Sequence, residues 1–190
     1  MEQPESFYDN AFANSVEYRG RPEDIIYYPV WTEVLSLLDY TERILECGCG
    51  TGQFAILAQE RGYSYSLGLD FSKVALDLAT ARCPGLEFRK CDLRDGASFP
   101  DPATYDVVVF IEVLEHIEND LGILQRIPAG KHVIITVPSY GSDGHVRAFE
   151  NAETVFDRFD GLCDFYVHRH THPGGRIYIL DGVMKPTGPD

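Results

Sequence analysis

Residues 44–52 read ILECGCGTG, an apolar run that leads directly into three alternating glycines. The apolar start predicts a buried strand over residues 43–47. Glycines at Gly48, Gly50 and Gly52 let the backbone turn tightly and approach a ligand where a Cβ atom would clash. An apolar stripe at helical spacing follows the loop. A strand, a glycine loop and a helix in this order predict an α/β fold that binds its ligand at the loop.

The rest of the chain continues the alternation of strands and helices. Further strands are predicted at residues 63–70, 86–92, 105–113, 131–139, 163–170 and 176–183. Helices are predicted at residues 54–62, 73–83, 120–126 and 151–160. The apolar run YDVVVFIEV predicts the central strand, and the Pro-Gly-Gly within residues 171–175 predicts a hairpin turn. We therefore predict a doubly wound, mostly parallel seven-stranded sheet with an antiparallel C-terminal hairpin.

A length of 190 residues predicts one domain with one well-buried core. Residues 43–190 form the predicted ligand-binding domain, and residues 1–42 precede it as a helical cap segment with two helices. The cap segment is rich in aromatic residues, which include Tyr8, Phe12, Tyr18, Tyr27, Tyr28 and Trp31. It either covers the edge of the sheet or closes over a ligand.

The charge of the chain disfavours nucleic acid as a partner. Sixteen Lys and Arg against thirty Asp and Glu give a net charge of −14, and no basic run is present. Such a surface repels polyanions and favours small molecules or basic partners. The sequence carries no signal of oligomeric state.

The chain is expected to be cytoplasmic, without a membrane anchor. It starts with acidic residues rather than an apolar leader, and no stretch approaches the ~20 apolar residues of a membrane span. Five cysteines, two of them at Cys47 and Cys49 in the glycine loop, favour reduced thiols over a disulfide framework.

Acidic residues stand at or near the ends of the first three predicted strands, at Glu46, Asp70 and Asp92. A carboxylate after the second strand is well placed to accept hydrogen bonds from both hydroxyls of a ribose. The carboxylate of Asp92 and the backbone N–H of Leu93 together offer an acceptor and a donor to an adenine ring. The three ends therefore predict a site for an adenosine-containing cofactor.

Four motifs occur in order within residues 40–140, namely ILECGCGTG, GLDFS, KCDLRDG and YDVVVFIEVLEHI. With these motifs the chain resembles the class I S-adenosylmethionine-dependent methyltransferases, particularly the branch of ubiquinone-biosynthesis O-methyltransferases. The resemblance implies S-adenosylmethionine as cofactor, S-adenosylhomocysteine as product, and residues 43–190 as the methyltransferase domain. Beyond Ser139 the similarity is one of architecture.

The resemblance also implies a role for each part of the site. The three glycines would surround the methionine part of the cofactor, Asp70 would hold the ribose, Asp92 and Leu93 would meet the adenine, and Ile111 with Glu112 would lie under the sulfonium. The residues that we predict to bind the cofactor are Glu46, Gly48, Cys49, Gly50, Gly52, Asp70, Phe71, Asp92, Leu93, Ile111 and Glu112.

A nicotinamide dehydrogenase is the nearest rival interpretation of the loop. Its fingerprint requires a third glycine three places after the second, and Gln53 occupies that place. The acids before the loop and after the third strand also fit the methyltransferase better. We therefore prefer the methyltransferase.

The sequence EVLEH at residues 112–116 follows the central strand, beside the place where the transferred methyl should lie. We predict His116 and Glu115 as the catalytic residues, because imidazole titrates near neutral pH and suits a general base. Small-RNA 3′-terminal 2′-O-methyltransferases have a similar cluster. That resemblance implies Glu112, Glu115, His116 and His145 as ligands of a divalent metal. A third interpretation leaves these residues to order the loop; we predict no bound metal.

Other polar residues carry weaker signals. His168, His170 and His172 alternate along a predicted strand, which suits either a metal site or a polar strand end near the acceptor entrance. Arg19, Arg21 and Arg147 suit either an anionic group of the acceptor or solvated surface charge.

The sequence predicts a methyltransferase that transfers a methyl group to an oxygen or nitrogen atom of a small-molecule acceptor by in-line displacement. One alternative is a metal-assisted RNA 2′-O-methyltransferase, which the acidic charge opposes. Another is a partner protein that binds S-adenosylmethionine without catalysis.

Overall fold

Seven strands form one sheet in the computed structural model, which describes residues 1–96 and 99–186. The strands are β1 Ile44–Cys47, β2 Tyr65–Asp70, β3 Phe88–Lys90, β4 Val107–Ile111, β5 His132–Pro138, β6 Cys163–His172 and β7 Gly175–Met184. The helices are α1 Glu5–Asn14, α2 Tyr28–Ser36, α3 Gln53–Glu60, α4 Lys73–Arg82, α5 Asp120–Leu124 and α6 Ala152–Phe159. Single turns of 3₁₀ helix lie at Glu17–Arg19, Pro22–Asp24, Pro102–Thr104 and Leu114–His116.

The sheet has the order β3-β2-β1-β4-β5-β7-β6. Strands β1 to β5 pair in parallel, and β7 pairs antiparallel with both β5 and β6. The chain reverses its direction across the sheet between β1 and β4, which is where open α/β sheets bind ligands. The doubly wound fold, the antiparallel hairpin and the central place of β4 are confirmed.

Both faces of the sheet are covered by helices. Val107 and Val109 of β4 pack on one face in a cluster with Trp31 of α2 and Phe54 of α3. The alternate residues Val108 and Phe110 pack on the other face in a cluster with Ile123 of α5 and Phe159 of α6. The period of two along a strand explains why a doubly covered strand has a continuous apolar sequence.

Helix starts follow from local side-chain chemistry. The Ser72 hydroxyl accepts from the backbone N–H of Ala75 at 3.1 Å and caps α4, as the sequence predicts. Asn151 and Thr154 form a capping box at the start of α6. Gly52 precedes α3 with a φ of 76°, in the left-handed region that favours glycine.

Several strands differ from the predicted bounds: β4, for example, spans Val107–Ile111 rather than 105–113, and the ends of β3 and of the hairpin differ as follows. Strand β3 ends at Lys90 rather than Asp92, because the chain turns away from the edge of the sheet after Cys91 donates to the carbonyl of Asp70. The hairpin is tighter than predicted: β6 extends to His172 and β7 starts at Gly175, so only two residues form the turn.

The N-terminal segment has two different positions. Helix α2 buries Val30, Val34 and Leu35 against the sheet, whereas α1 has no buried residue among its ten described positions and lies beside α4. Within the part of the chain that the structure describes, no helix combines the length and apolar character of a membrane span.

Candidate active site

A cavity of about 520 Å³ opens at the carboxyl ends of β1, β2 and β4. Its wall includes the glycine loop, the ends of these strands, and aromatic side chains from α1 and α2. The predicted site residues that line it are Glu46, Gly48, Cys49, Gly50, Asp70, Phe71, Asp92, Leu93, Ile111, Glu112, Glu115, His116 and His145. The fold therefore brings these residues to one cavity.

Gly48 requires glycine for two reasons. Its φ of 79° lies in the left-handed region, and a Cβ atom there would lie 2.4 Å from Cγ2 of Val113. Gly52, which the sequence predicts to bind cofactor, is not among the lining residues. A Cβ atom on Gly52 would lie 3.1 Å from Ala79, so this glycine lets α3 and α4 approach each other.

Asp70 at the end of β2 joins the glycine loop to the start of α4. Its carboxylate accepts from the backbone N–H of Gly50 at 2.9 Å and from that of Ser72 at 2.8 Å. Burial raises the pKa of Asp70 to about 6, although these hydrogen bonds favour the charged form. The carboxylate is thus held rigidly in the wall of the cavity, where a ribose hydroxyl can donate to it.

Asp92 lies two residues beyond β3 and has a partner that the sequence analysis missed. Arg94 donates to both of its carboxylate oxygens, at 2.8 and 2.6 Å, and its guanidinium lies over the ring of Phe71. The hydrogen bond with Arg94 lowers the pKa of Asp92. The Asp-Leu-Arg spacing was a local signal for this pairing, since an Asp side chain often accepts from the backbone N–H two residues on, as Asp92 does from Arg94 at 3.0 Å.

Glu46 lies at the base of the loop and is fully buried. Its Oε2 accepts from the Tyr65 hydroxyl at 2.6 Å, and burial raises the pKa of Glu46 to about 8. Cys47 and Cys49 are buried as well, and burial raises the pKa of each thiol well above its ordinary value. Buried, protonated thiols are unreactive, in agreement with their prediction as reduced residues.

Glu112 directly follows β4 and adopts a φ of 55°, the one positive φ of a non-glycine residue within the described chain. Thr136 of β5 stabilises this conformation: its hydroxyl donates to Oε1 of Glu112 at 2.8 Å and accepts from the backbone N–H of Glu112 at 3.0 Å. Burial raises the pKa of Glu112 to about 7. Strained backbone of this kind concentrates at functional sites.

Glu115, His116 and His145 form a cluster in the wall of the same cavity. The Nε2 atoms of His116 and His145 lie 3.8 and 4.0 Å from Oε1 of Glu115. Both carboxylate oxygens of Glu115 are buried without a hydrogen-bond partner among the described residues. Burial and the nearby Glu112 raise the pKa of Glu115, while burial and His145 lower the pKa of His116 to about 4.

Arg147 holds this cluster together. Its guanidinium donates to the backbone carbonyls of Leu114 and Ile117, at 2.6 and 2.5 Å, and pairs with the buried Asp120 at 3.1 Å. The backbone N–H of Val146 donates to the carbonyl of Glu115. Arg147 is therefore neither a surface charge nor a group facing the acceptor, since tertiary contacts within the fold occupy it.

The three histidines of β6 do not converge on a ligand in this structure. His170 pairs with Glu33 at 3.0 Å, and His172 stacks on the rings of Tyr27 and Tyr140. Because Tyr27 lines the cavity, His172 supports the cavity wall from behind. Arg19 bonds to the carbonyl of Ala13, and Arg21 forms an exposed ion pair with Asp24.

Gln53 explains the departure from the dinucleotide fingerprint. Its side-chain amide donates to the backbone carbonyls of Glu17 and Gly20, at 3.0 and 3.3 Å, and Arg82 donates to those of Tyr18 and Gly20. These bonds fasten the segment between α1 and α2 across the glycine loop. A glycine at this position would lose that attachment.

The Rossmann-like sheet, the glycine loop and the cavity at the reversal of strand order are the features expected of a class I S-adenosylmethionine-dependent methyltransferase. A profile of the methyltransferase domain family matches residues 25–176. The chain therefore belongs to this family, whose methyl donor is S-adenosylmethionine. This agrees with the resemblance in the sequence motifs.

Individual relatives agree with this assignment. A ubiquinone biosynthesis O-methyltransferase of Aliivibrio fischeri is 27% identical over 124 residues, which cover 61% of this chain and 52% of the relative. The chain thus spans about half the length of the curated relatives of this kind.

Solved structures share the fold at low identity. A chain of the complex between the Haloferax volcanii Trm112 methyltransferase activator and a putative methyltransferase has a TM-score of 0.73 at 15% identity, over 94% of this chain and 97% of that one. Magnesium protoporphyrin IX methyltransferase of Synechocystis, with bound S-adenosylhomocysteine, has a TM-score of 0.64 at 15% identity, over 82% of each chain.

Proposed function

We propose that this chain transfers the methyl group of S-adenosylmethionine to an oxygen or nitrogen atom of a small-molecule acceptor. The observation that carries the proposal is the arrangement of one cavity. The glycine loop and Asp70 line one part of it, and the cluster of Glu115, His116 and His145 lines another. The donor would be bound by the first group and the acceptor would be deprotonated beside the second.

The reaction requires the protein to align the acceptor atom with the methyl group, and it requires no covalent bond between the protein and either substrate. The acceptor atom attacks the methyl carbon, the bond from this carbon to sulfur breaks, and S-adenosylhomocysteine leaves with the electron pair. The attacking O–H or N–H becomes strongly acidic as the new bond forms. The neutral imidazole of His116 therefore suffices to take that proton, although its pKa of about 4 makes it a weak base.

The charge of the cavity supports a small acceptor without an anionic group. The carboxyl groups in the wall belong to Glu46, Asp70, Asp92, Glu112, Glu115 and Asp143. Among the lining residues that the structure describes, Arg94 is the one Lys or Arg, and Asp92 and Glu2 bind it at 2.6 and 3.2 Å. An RNA acceptor would bring phosphates towards Asp92, whose pKa is lowered, and towards a chain with a net charge of −14.

Binding of S-adenosylhomocysteine tests the donor half of the proposal. Calorimetric titration of metal-stripped wild-type protein should show binding that Asp70→Ala abolishes. Asp77→Ala is the matched control, because Asp77 is exposed on α4 and pairs with Lys73. Folded wild-type protein that binds no S-adenosylhomocysteine would refute the proposal.

Turnover tests the acceptor half. A panel of uncharged phenols, alcohols and amines is screened for formation of S-adenosylhomocysteine, and His116→Ala and Glu115→Ala are then assayed with the acceptor found. Both variants should lose most of kcat. Full turnover by both variants would show that His116 and Glu115 are not catalytic. Binding of RNA in a gel-shift assay at low salt would instead favour a nucleic-acid acceptor.

A divalent ion is a second candidate for activating the acceptor. The ligand atoms of Glu115, His116 and His145 lie within 4.8 Å of one another, and Glu115 has two buried oxygens without a partner in the described structure. The Nε2 atoms of the two histidines lie 3.8 and 4.0 Å from Oε1 of Glu115, so these side chains would have to move closer together to hold one ion at about 2.1 Å. When bound, such an ion would lower the pKa of an acceptor hydroxyl.

Chelation distinguishes the two ways of activation. With His116 as base, turnover survives removal of metal. Loss of turnover that Mg²⁺ or Mn²⁺ restores would instead make the three residues ligands. Titration of Mn²⁺ into the protein tests the site without an acceptor. If the cluster binds the ion, the wild-type protein binds Mn²⁺ and Glu115→Gln does not.

A further inference from the structure

Helix α1 lies over the cavity, and its side chains contact residues that adjoin the predicted cofactor acids. The carboxylate of Asp9 accepts from the hydroxyl of Ser72 at 2.5 Å, and Ser72 also donates its backbone N–H to Asp70. Just before the helix, Glu2 pairs with Arg94, which binds Asp92. The helix thus rests on the groups that would hold the ribose and the adenine.

Tyr8 extends this contact to the acceptor end of the cavity. Its hydroxyl lies 3.0 Å from Nδ1 of His116, and its ring packs edge-on against the rings of His116 and Phe71 at 5.7 and 5.2 Å. This hydrogen bond holds the orientation of the ring, and it favours one tautomer according to whether the hydroxyl donates to Nδ1 or accepts from it. It also leaves Nε2, which faces Glu115, as the atom that remains for the acceptor.

We propose that α1 is a lid that completes the acceptor side of the site when closed, and that Tyr8 is the positioning residue through which the lid holds His116. The inference rests on the proposed function, because it takes the cavity to be the donor and acceptor site. When α1 closes over a bound cofactor, Tyr8 also holds the imidazole of His116 in the orientation that the acceptor needs.

The attachment of α1 suits a lid rather than a core helix. An isolated helix of ten residues is marginal in water, and no residue of α1 is buried. Part of its attachment consists of exposed ion pairs, such as that of Glu5 with Lys90 at 2.6 Å, which is of a kind that contributes little stability. Helix α2, by contrast, buries four side chains in the core.

Aromatic side chains of α1 also cover part of the cavity. Phe7, Tyr8 and Phe12 of α1 form part of its wall, and Phe12 lies over Gly50 of the glycine loop. A ligand that reaches Asp70 and the loop is covered by these rings in the closed state. The same rings exclude water from the place where the methyl is transferred.

Amide hydrogen exchange with and without S-adenosylhomocysteine tests the lid in the wild-type protein. We expect residues 5–14 to exchange faster than α4 in the free protein, and to slow at least tenfold on binding, whereas α6 stays unchanged. Exchange of α1 that is as slow as that of α4 without ligand, or unaltered by bound ligand, would overturn the lid. Absence of binding by calorimetry would refute the proposed function instead.

Imidazole nitrogen resonances of His116 test the positioning role. Tyr8→Phe removes one oxygen atom, and we expect it to shift the His116 resonances from one tautomer to a mixture while affinity for S-adenosylhomocysteine changes less than twofold. Tyr40→Phe is the matched control, because Tyr40 is 60% exposed and stacks on Tyr63 away from the cavity. Unchanged His116 resonances in folded Tyr8→Phe would overturn the role of Tyr8.

Discussion

The hydroxyl of Thr136 lies 2.8 Å from Oε1 of Glu112 and 3.0 Å from the backbone nitrogen of the same residue. One buried side chain of β5 thereby fixes both the carboxylate and the left-handed backbone of Glu112, which directly follows β4. These two residues are 24 positions apart in sequence, and the parallel pairing of the strands brings them together.

Thr136→Val should destabilise the protein and weaken donor binding. Valine has the shape of threonine but leaves the buried N–H of Glu112 without its acceptor, which costs about 1–3 kcal/mol of unfolding free energy. Urea denaturation and calorimetry with S-adenosylhomocysteine measure the two effects. Thr136→Ser keeps the hydroxyl and should retain donor affinity; equal losses of affinity in both variants would contradict the role of the hydrogen bonds.

Gly48→Ala should cost more stability than Gly62→Ala. Both glycines have φ near 80°, but a Cβ atom on Gly62 meets nothing within 4 Å, whereas one on Gly48 meets Val113. The shared backbone strain costs about 1–2 kcal/mol, and the overpacking at Gly48 adds about 1–3 kcal/mol. Equal midpoints of urea unfolding for the two variants would show that the predicted clash is relieved without cost.

S-adenosylmethionine should bind more tightly as pH rises from 5.5 to 8. Burial raises the pKa of Asp70 to about 6 and that of Glu112 to about 7, so both carboxyls lose protons in this window and then attract the sulfonium. We expect about a tenfold gain in affinity. S-adenosylhomocysteine lacks the sulfonium charge and should gain less, and equal pH dependence of the two ligands in calorimetry would contradict this assignment.

The stability of the unliganded chain should respond to these two carboxyls with the opposite sign. A raised pKa means that the folded state binds the proton more tightly than the unfolded state does. Their contribution to unfolding free energy therefore increases as pH falls from 8 towards 5. The double variant Asp70→Asn/Glu112→Gln should therefore show a weaker gain of unfolding free energy between pH 8 and pH 5, as measured by urea denaturation. The same pH dependence in the variant and in the wild-type protein would refute this prediction.

His132→Gln should lower stability at pH 6 more than at pH 9. Burial alone would lower the pKa of His132, but hydrogen bonds to Asp181 and Glu42, both at 2.7 Å, raise it. A raised histidine pKa gives stability that is fully present below about pH 6.5 and is lost as pH rises through the folded value. We expect a loss of about 1–2 kcal/mol at pH 6 in chemical denaturation.

Glu42→Gln provides the control for that prediction through a double-mutant cycle. If the ion pair of His132 with Glu42 is responsible, the double variant loses less unfolding free energy at pH 6 than the sum of the two single variants. At pH 9 the losses are close to additive. A His132→Gln difference from wild type that is constant across this range would mean that packing, not charge, determines its effect.

Local patterns were sufficient for much of the site. The alternation of apolar runs predicts the order of strands and helices, because a doubly covered strand and an amphipathic helix each impose a period on their own sequence. The glycine loop directly follows β1, Asp70 ends β2, and Asp92 lies two residues beyond β3. Their convergence on one cavity is then a consequence of parallel strands ending at one edge of the sheet.

The contacts between side chains that are distant in sequence were determined by the tertiary structure alone. Gln53 binds carbonyls more than thirty residues away, Arg147 ties two loops, and Thr136 fixes Glu112. Tyr8 meets His116 across 108 positions of sequence. Sequence periodicity reports which face of an element is buried, since residues two apart in a strand, or three to four apart in a helix, share a face. It does not report which side chain from a distant element arrives there, because that depends on packing of the whole fold.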